Sequence, residues 1–159
     1  MSTHLLTNQE VFDKVWDHFI TKKNPQSIDP NSGRCYYRNL DGSKCAAGLF
    51  IPDEKYHVGL EHASACPDQF TSFLNDEISI DSIDKLTCRV ALILIEIVED
   101  IQFLRKLQLL HDYAPREFFN GTFRERLIDF AKNNKLNCPE EWSKNFQIKK
   151  FLIKCGNIL

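Results

Sequence analysis

The longest stretch of helical periodicity, residues 81–113, sets the main limit on how this chain folds. Its apolar side chains recur every three or four residues, which places them on one face of a helix. They are Ile83, Leu86, Val90, Ile93, Ile97, Ile101, Leu104, Leu107 and Leu110. The β-branched run at 90–98 is also compatible with a strand. The pattern therefore predicts one central helix, or two consecutive helices, ending at Ala114-Pro115.

Capping signals predict further helices on both sides of this stretch. The sequence Thr7-Asn8-Gln9-Glu10 has the form of a capping box, and the apolar stripe after it predicts a helix that ends near Lys23. A second capping box is predicted at 122–125, and a last helix at about 139–155 begins with Pro139. Shorter helical segments are predicted near Pro52, Gly59 and Pro67. Together these signals predict five to seven helices.

Residues 34–50 instead have the pattern of a small antiparallel β-hairpin. The arms 34–38 and 44–50 have strand character, and Asp41-Gly42 supplies the left-handed residue that a short connection needs. Gly48 interrupts the second arm, where another part of the backbone or a bend is expected to come close. The predicted fold is therefore a predominantly α-helical α+β domain with one β-hairpin.

Length and charge limit the classes of function. A chain of 159 residues with 43% hydrophobic content is long enough for one core, so a single domain at 1–159 is expected. Twenty Lys+Arg against 22 Asp+Glu give a net charge of -2, which argues against broad electrostatic binding of nucleic acid. The N-terminus has no readable Sec signal, and the apolar run Val90–Ile95 is too short to span a membrane. A cytoplasmic protein is expected, although a specialised secretion system would leave no such mark.

A zinc site is one candidate for chemistry. His62 and Cys66 would share one face of a short helix, while Cys35 and Cys45 lie in the two arms of the predicted hairpin. Three thiolates and one imidazole form an acceptable tetrahedral zinc set, and His57 is an alternative fourth ligand. The competing interpretation is that the cysteines are reduced thiols that fill the core as small apolar residues, with no cofactor bound.

A catalytic site is the second candidate. Gln108 and His111 are three residues apart on one helix face, and Asp112 follows directly. His111 is a possible general acid or base with Asp112, and Cys45 is the best placed thiol for a nucleophile because Lys44 precedes it. The competing interpretation is that His111 and Asp112 cap the end of the central helix.

Two groups of motifs resemble those of small uncharacterised proteins of bacteria and their phages. The first has the form Cys-x-Tyr, Gly-x-Lys-Cys-Ala-x-Gly, Ile-Pro-Asp-Glu-x-Tyr, and covers residues 35–56. The second has the form Leu-Gln-x-x-His-Asp, and covers residues 107–112. The resemblance supplies no activity; a small accessory protein of phage, mobile-element or effector type is expected.

A non-catalytic interaction protein with a protein partner is the function expected from these features. Cations lie among aromatic residues in the predicted hairpin, and the turn that follows carries two acids and a tyrosine. The expected binding residues are Tyr36, Arg38, Lys44, Asp53, Glu54 and Tyr56. The alternatives are a small hydrolase or transferase that uses His111, Asp112 and Cys45, and a zinc-stabilised binding module. An enzyme is expected to bring its chemical groups together in a concave pocket, whereas an interaction protein is expected to scatter them and to expose a contiguous apolar or aromatic patch.

Overall fold

The computed structural model describes residues 4–29, 32–62, 85–116 and 119–139, and within these ranges the fold is mostly helical. The described α-helices are α1 at Asn8–Trp16, α2 at Lys85–Ile95, α3 at Ile101–Asp112 and α4 at Phe119–Asn133. A π-helical turn at Asp17–Thr21 extends α1, and 3-10 turns occupy Gly48–Phe50, Asp53–Lys55 and Val58–His62. In the described ranges, no helix combines the length and the apolar character that a bilayer crossing requires.

The first helix begins where its capping box predicts. The Thr7 backbone amide donates to Glu10 Oε2 at 2.8 Å, and Thr7 Oγ1 accepts from the Glu10 amide at 3.3 Å. The buried side chains that follow lie on one face and belong to the core. They are Val11, Phe12, Val15, Trp16 and Phe19. The helical run ends at Thr21, close to the predicted end at Lys23.

The central periodic stretch forms two consecutive helices, α2 and α3, and the alternative of a strand at 90–98 is wrong. The chain breaks between them because the side chain of Asp100 accepts hydrogen bonds from the Gln102 and Phe103 amides at 2.9 and 3.0 Å, which starts a new helix. Leu6 bonds to this connection through a parallel bridge with Val98.

Replacing Asp100 with alanine is expected to lower the free energy of unfolding by about 1 kcal/mol, because the amides at the start of α3 lose their acceptor. Chemical denaturation followed by circular dichroism measures this change. The exposed neighbour Glu99 supplies the control, since Glu99→Ala leaves the cap intact. Equal losses of stability in the two variants would contradict the capping role.

The capping box predicted at 122–125 is wrong, although the buried face of that helix is as predicted. α4 already includes Phe119, so Thr122 lies within the helix. The buried Phe119 side chain stacks on Phe123 at 5.1 Å between ring centroids and meets Phe19 at 5.6 Å, which favours helix before Thr122. Phe123, Leu127, Ile128 and Ala131 are buried. The predicted helices at Pro67 and at 139–155 lie outside the described residues.

The β-hairpin predicted at 34–50 is wrong, and with it the α+β fold class. In the described ranges there is no strand, only isolated bridges such as Arg38 with Lys44. The first arm cannot pair regularly because the Tyr37 and Arg38 amides donate to the carboxylate of Glu61 at 2.7 and 3.0 Å. The second arm turns helical, since the Leu49 amide donates to the Cys45 carbonyl at 3.1 Å.

Two glycines in this segment behave as their positions predict. Gly42 has a φ of 83°, in the left-handed region, and closes the turn between Asn39 and Ser43. A Cβ added to Gly48 would lie 2.0 Å from the carbonyl oxygen of Tyr37, so the backbone does come close there. The segment is therefore a compact irregular loop that is held against the helices.

The helices pack so that α3 contacts α1, α2 and α4. Leu104 and Leu107 of α3 are fully buried. The C-terminal end of α3 meets the irregular 34–50 loop and the aromatic side chains of α1 and α4. This junction brings together the polar side chains considered next.

Candidate metal centre

Three potential metal ligands converge at the C-terminal end of α3. The Sγ of Cys35, the Nδ1 of His111 and a carboxylate oxygen of Asp112 all lie within 4.8 Å of one another. His111 Nδ1 is 3.0 Å from Asp112 Oδ1 and 3.9 Å from Cys35 Sγ. We refer to these three residues as the Cys–His–Asp cluster. It joins the two groups of motifs noted above, which are far apart in the sequence.

Gln108 holds the cluster together from one turn earlier on α3. Its Oε1 accepts from the Ala47 amide at 2.7 Å. A backbone amide can only donate, so this bond fixes which end of the Gln108 side chain is the oxygen. The Nε2 group must then donate, and it reaches Asp112 Oδ1 at 2.6 Å and Cys35 Sγ at 3.5 Å. Gln108 thus orients two of the three ligand atoms and ties them to the 34–50 loop.

His111 is fully buried, and its imidazole is surrounded by aromatic rings. The ring centroids of Phe19, Phe119 and Phe123 lie 5.1, 5.3 and 5.9 Å from that of His111. The Nε2 atom is buried and has no hydrogen-bond partner among the described residues. The hydrogen-bonding contacts of the ring to described residues are made by Nδ1.

Each neutral form of the His111 ring leaves one nitrogen poorly matched to the described residues around it. With the hydrogen on Nδ1, the ring donates to Asp112, but Nε2 is a buried acceptor without a donor. With the hydrogen on Nε2, an N–H group faces the aromatic rings, which is a weakly favourable contact. Nδ1 can then accept from the Cys35 thiol at 3.9 Å, but its lone pair also faces a carboxylate oxygen 3.0 Å away, a repulsion that a cation between the two atoms would relieve.

Cys35 has the character of a protonated thiol in the absence of a cation. A hydrogen bond with the Cys45 side chain, burial and the nearby Asp112 carboxylate raise the pKa of the Cys35 thiol. A thiol with a raised pKa is a poor nucleophile, whereas direct coordination to a metal ion deprotonates it. The raised pKa therefore argues against Cys35 as a nucleophile.

The separations within the Cys–His–Asp cluster suit a tetrahedral ion. Typical zinc bond lengths place sulfur and nitrogen ligands about 3.5 Å apart, and nitrogen and oxygen ligands about 3.4 Å apart. The corresponding distances here are 3.9 and 3.0 Å. Thiolate, imidazole and carboxylate together favour zinc over the harder cations magnesium and calcium.

Of the other predicted metal ligands, the two whose side chains are described, Cys45 and His57, are not part of this cluster. Cys45 is buried, and its Sγ accepts from the Gly48 amide at 3.3 Å. Among the described residues, the metal-ligand group that includes Cys35 contains neither Cys45 nor His57. Cys66 and the side chain of His62 lie outside the described residues, so the predicted set of Cys35, Cys45, His62 and Cys66 stays a prediction.

The expected capping role at the end of α3 is filled by another residue. Gln26 Nε2 donates to the His111 carbonyl at 2.6 Å and to the Ala114 carbonyl at 3.4 Å. These bonds satisfy carbonyl groups that the helix leaves open. The side chains of His111 and Asp112 are instead engaged in the Cys–His–Asp cluster.

Most of the expected binding residues bond to one another. The Arg38 guanidinium donates to the Ile51 carbonyl at 2.6 Å, pairs with Asp53 at 2.8 Å and lies 4.4 Å above the Tyr56 ring. Lys44 is 3.6 Å from the same Asp53 carboxylate, and these two cations lower the pKa of Asp53. Burial, together with a bond to Glu61, raises the pKa of Tyr56 to about 12. We refer to Arg38, Lys44, Asp53 and Tyr56 as the brace. The Asp53 side chain is 83% exposed, and a binding role for these residues stays a prediction.

The two remaining members of that group take no part in the brace. Tyr36 is half-buried, and its backbone amide donates to the Ser27 carbonyl at 3.1 Å. Glu54 is exposed at the edge of an open groove that continues along α2. Neither side chain belongs to the Cys–His–Asp cluster.

No protein-family model, curated protein or solved structure matches this chain. Function therefore has to be inferred from the geometry of the site. Sequence reasoning singled out Cys35, Gln108, His111 and Asp112 but assigned Cys35 to a different set. One feature of the sequence did connect these four residues. Each lies in one of the two motif groups that resemble the same uncharacterised proteins.

Proposed function

We propose that the protein binds one divalent transition-metal ion, zinc by preference, at the Cys–His–Asp cluster. The observation that carries this proposal is the convergence of three different ligand atoms at a junction between α3 and a distant loop, with the carboxylate oxygen 3.0 Å and the sulfur 3.9 Å from the imidazole Nδ1. A cation at this point removes the conflict between the Nδ1 lone pair and the Asp112 carboxylate. It also lets the buried Nε2 carry a hydrogen.

The surroundings of the three ligands support the same proposal. Gln108 donates to the carboxylate and to the sulfur, as residues behind metal ligands commonly do. The ring of His111 is held in one orientation by three phenylalanines, so the ligand is positioned before any ion arrives. Preorganisation of this kind lowers the entropic cost of binding.

A non-metal alternative is an ion pair of protonated His111 with Asp112. Such a pair would also place hydrogens on both ring nitrogens, but it would bury an imidazolium that has no exposed surface. The two possibilities differ in metal content. The alternative predicts a protein without bound metal and without affinity for added zinc.

The first experiment is elemental analysis of the purified full chain after removal of any tag. About one zinc per chain is expected in the wild-type protein. Cys35→Ser and Asp112→Asn are expected to lose most of this metal, because each removes a ligand. Cys88→Ser is the matched control, since Cys88 is a free thiol on α2 outside the cluster, and it is expected to retain the metal. A wild-type chain that stays metal-free after incubation with zinc would overturn the proposal.

Gln108→Ala tests the role of the residue behind the ligands. It keeps all three ligands but removes the bonds to Asp112 and Cys35, so zinc affinity is expected to fall by about 10- to 100-fold. A competition titration against a chelator of known affinity measures this change. The exposed residue Lys106 on the same helix is the control, and Lys106→Ala is expected to leave the affinity unchanged.

The interaction role expected from residues 34–56 stays a prediction, and the described geometry supports it less well. Its main side chains, Arg38, Asp53 and Tyr56, are bonded to one another. The alternative of an enzyme also stays a prediction. Gln108, His111 and Asp112 lie together, with Cys35 rather than Cys45 beside them, and an enzyme additionally requires that they line a concave pocket.

A further inference from the structure

The Cys–His–Asp cluster has an inner and an outer side. On the inner side, His111 is fully buried against phenylalanine rings. On the outer side, the Asp112 side chain is 34% exposed and Cys35 is only half-buried. An ion bound to the three ligands would therefore have its inner side closed by protein and its outer side toward solvent.

The described residues near the cluster do not provide a fourth ligand. Zinc takes four ligands in nearly all structural sites. Gln108 is excluded because its Oε1 is bonded to Ala47 and its Nε2 is an amide donor without a free lone pair. Cys45 lies next to Cys35, but its sulfur is outside the set of mutually close ligand atoms.

From these observations, and resting on the proposed metal binding, we infer that the centre has an open coordination position on its solvent side. A water molecule occupies that position and exchanges with small anionic or oxygen-bearing ligands. Three protein ligands with one exchangeable position are typical of catalytic zinc sites, whereas structural sites are closed by four. The thiolate, the carboxylate and a divalent ion sum to zero charge, so the bound water faces an electrically neutral centre.

Cobalt substitution tests this inference without any knowledge of a substrate. The protein is loaded with Co²⁺, whose visible absorption bands report the coordination geometry, and is then titrated with azide as the probe. A saturable shift of the visible bands is expected as azide replaces water. Tetrahedral bands that do not respond to azide would show a closed site and overturn the inference.

Two cysteine variants complete the test. Cys45→Ser and Cys66→Ser are both expected to retain cobalt and the azide response, because neither residue is a ligand in an open site. Loss of cobalt from either variant would identify it as the fourth ligand and overturn the inference. Failure of the wild-type chain to bind cobalt or zinc at all would instead refute the proposed metal binding itself, so the two failures are distinct.

Discussion

Gly48→Ala is expected to destabilise the fold by more than about 3 kcal/mol, at or above the upper end of the usual cost of overpacking. The added methyl group would lie 2.0 Å from the Tyr37 carbonyl oxygen and 2.8 Å from its carbonyl carbon. Both atoms belong to the backbone, so no side-chain rotation can relieve the overlap. The midpoint of urea unfolding measures the effect, together with metal retention, because displacement of Tyr37 also displaces the neighbouring Cys35.

Gly121→Ala is the matched control for this substitution. Gly121 lies within α4, is exposed, and has no atom within 4 Å of the position of an added Cβ. Alanine is favoured over glycine within a helix, so this variant is expected to be more stable than wild type by up to about 1 kcal/mol. If Gly48→Ala were as stable as Gly121→Ala, the close approach of the two loop segments would be refuted.

His111→Ala is expected to cost about 2–4 kcal/mol in the absence of metal, because it leaves a cavity among packed phenylalanine rings. It is also expected to abolish metal binding. Wild-type stability should fall on chelation, by about 4 kcal/mol if free metal is 1,000-fold above its dissociation constant. The variant should not respond to the chelator. Unfolding curves with and without chelator separate the packing loss from the metal-linked loss.

Leu109→Ala provides the comparison on the same helix. Leu109 is 39% exposed and lies outside the cluster, so its loss is expected to change stability only slightly and to leave the response to chelator intact. A His111→Ala protein that still gains stability from added zinc would contradict the assignment of His111 as a ligand. A His111→Ala protein as stable as Leu109→Ala in chelator would contradict the tight packing around the imidazole.

The helical part of the fold was predictable because its signals are local. The capping box at Thr7 and the periodic pattern of α2 and α3 depend on residues within one or two turns of each other. The break between α2 and α3 was predicted only as an alternative. Asp100 fixes it through bonds to amides two and three residues away.

The hairpin prediction failed because the competing interactions are not local. The turn predicted from Asp41-Gly42 is present, with Gly42 in the left-handed region. The strands predicted on either side of it do not form. The amides of Tyr37 and Arg38, however, bond to Glu61, which is 24 and 23 residues away. A side chain that replaces a partner strand in this way leaves no trace in the alternation of residues.

The residues of the proposed metal centre could be predicted from the sequence, but their grouping could not. Gln108, His111 and Asp112 share a helix end, so their proximity follows from helical spacing. Cys35 is 76 residues from His111, and six cysteines offer many possible partners. Which cysteine lies beside His111 is determined by how the 34–50 loop packs on α3, and that packing depends on tertiary contacts.

The hydrogen bond between Gln108 and the Ala47 amide also makes it possible to measure how often the 34–50 loop separates from α3. This amide hydrogen is buried and bonded across 61 residues to a side chain that also touches two members of the Cys–His–Asp cluster. It can exchange with solvent deuterium only when the loop separates from α3. Its exchange rate therefore reports how often the loop lifts from the helix, and a bound metal ion that links Cys35 to α3 should slow that exchange.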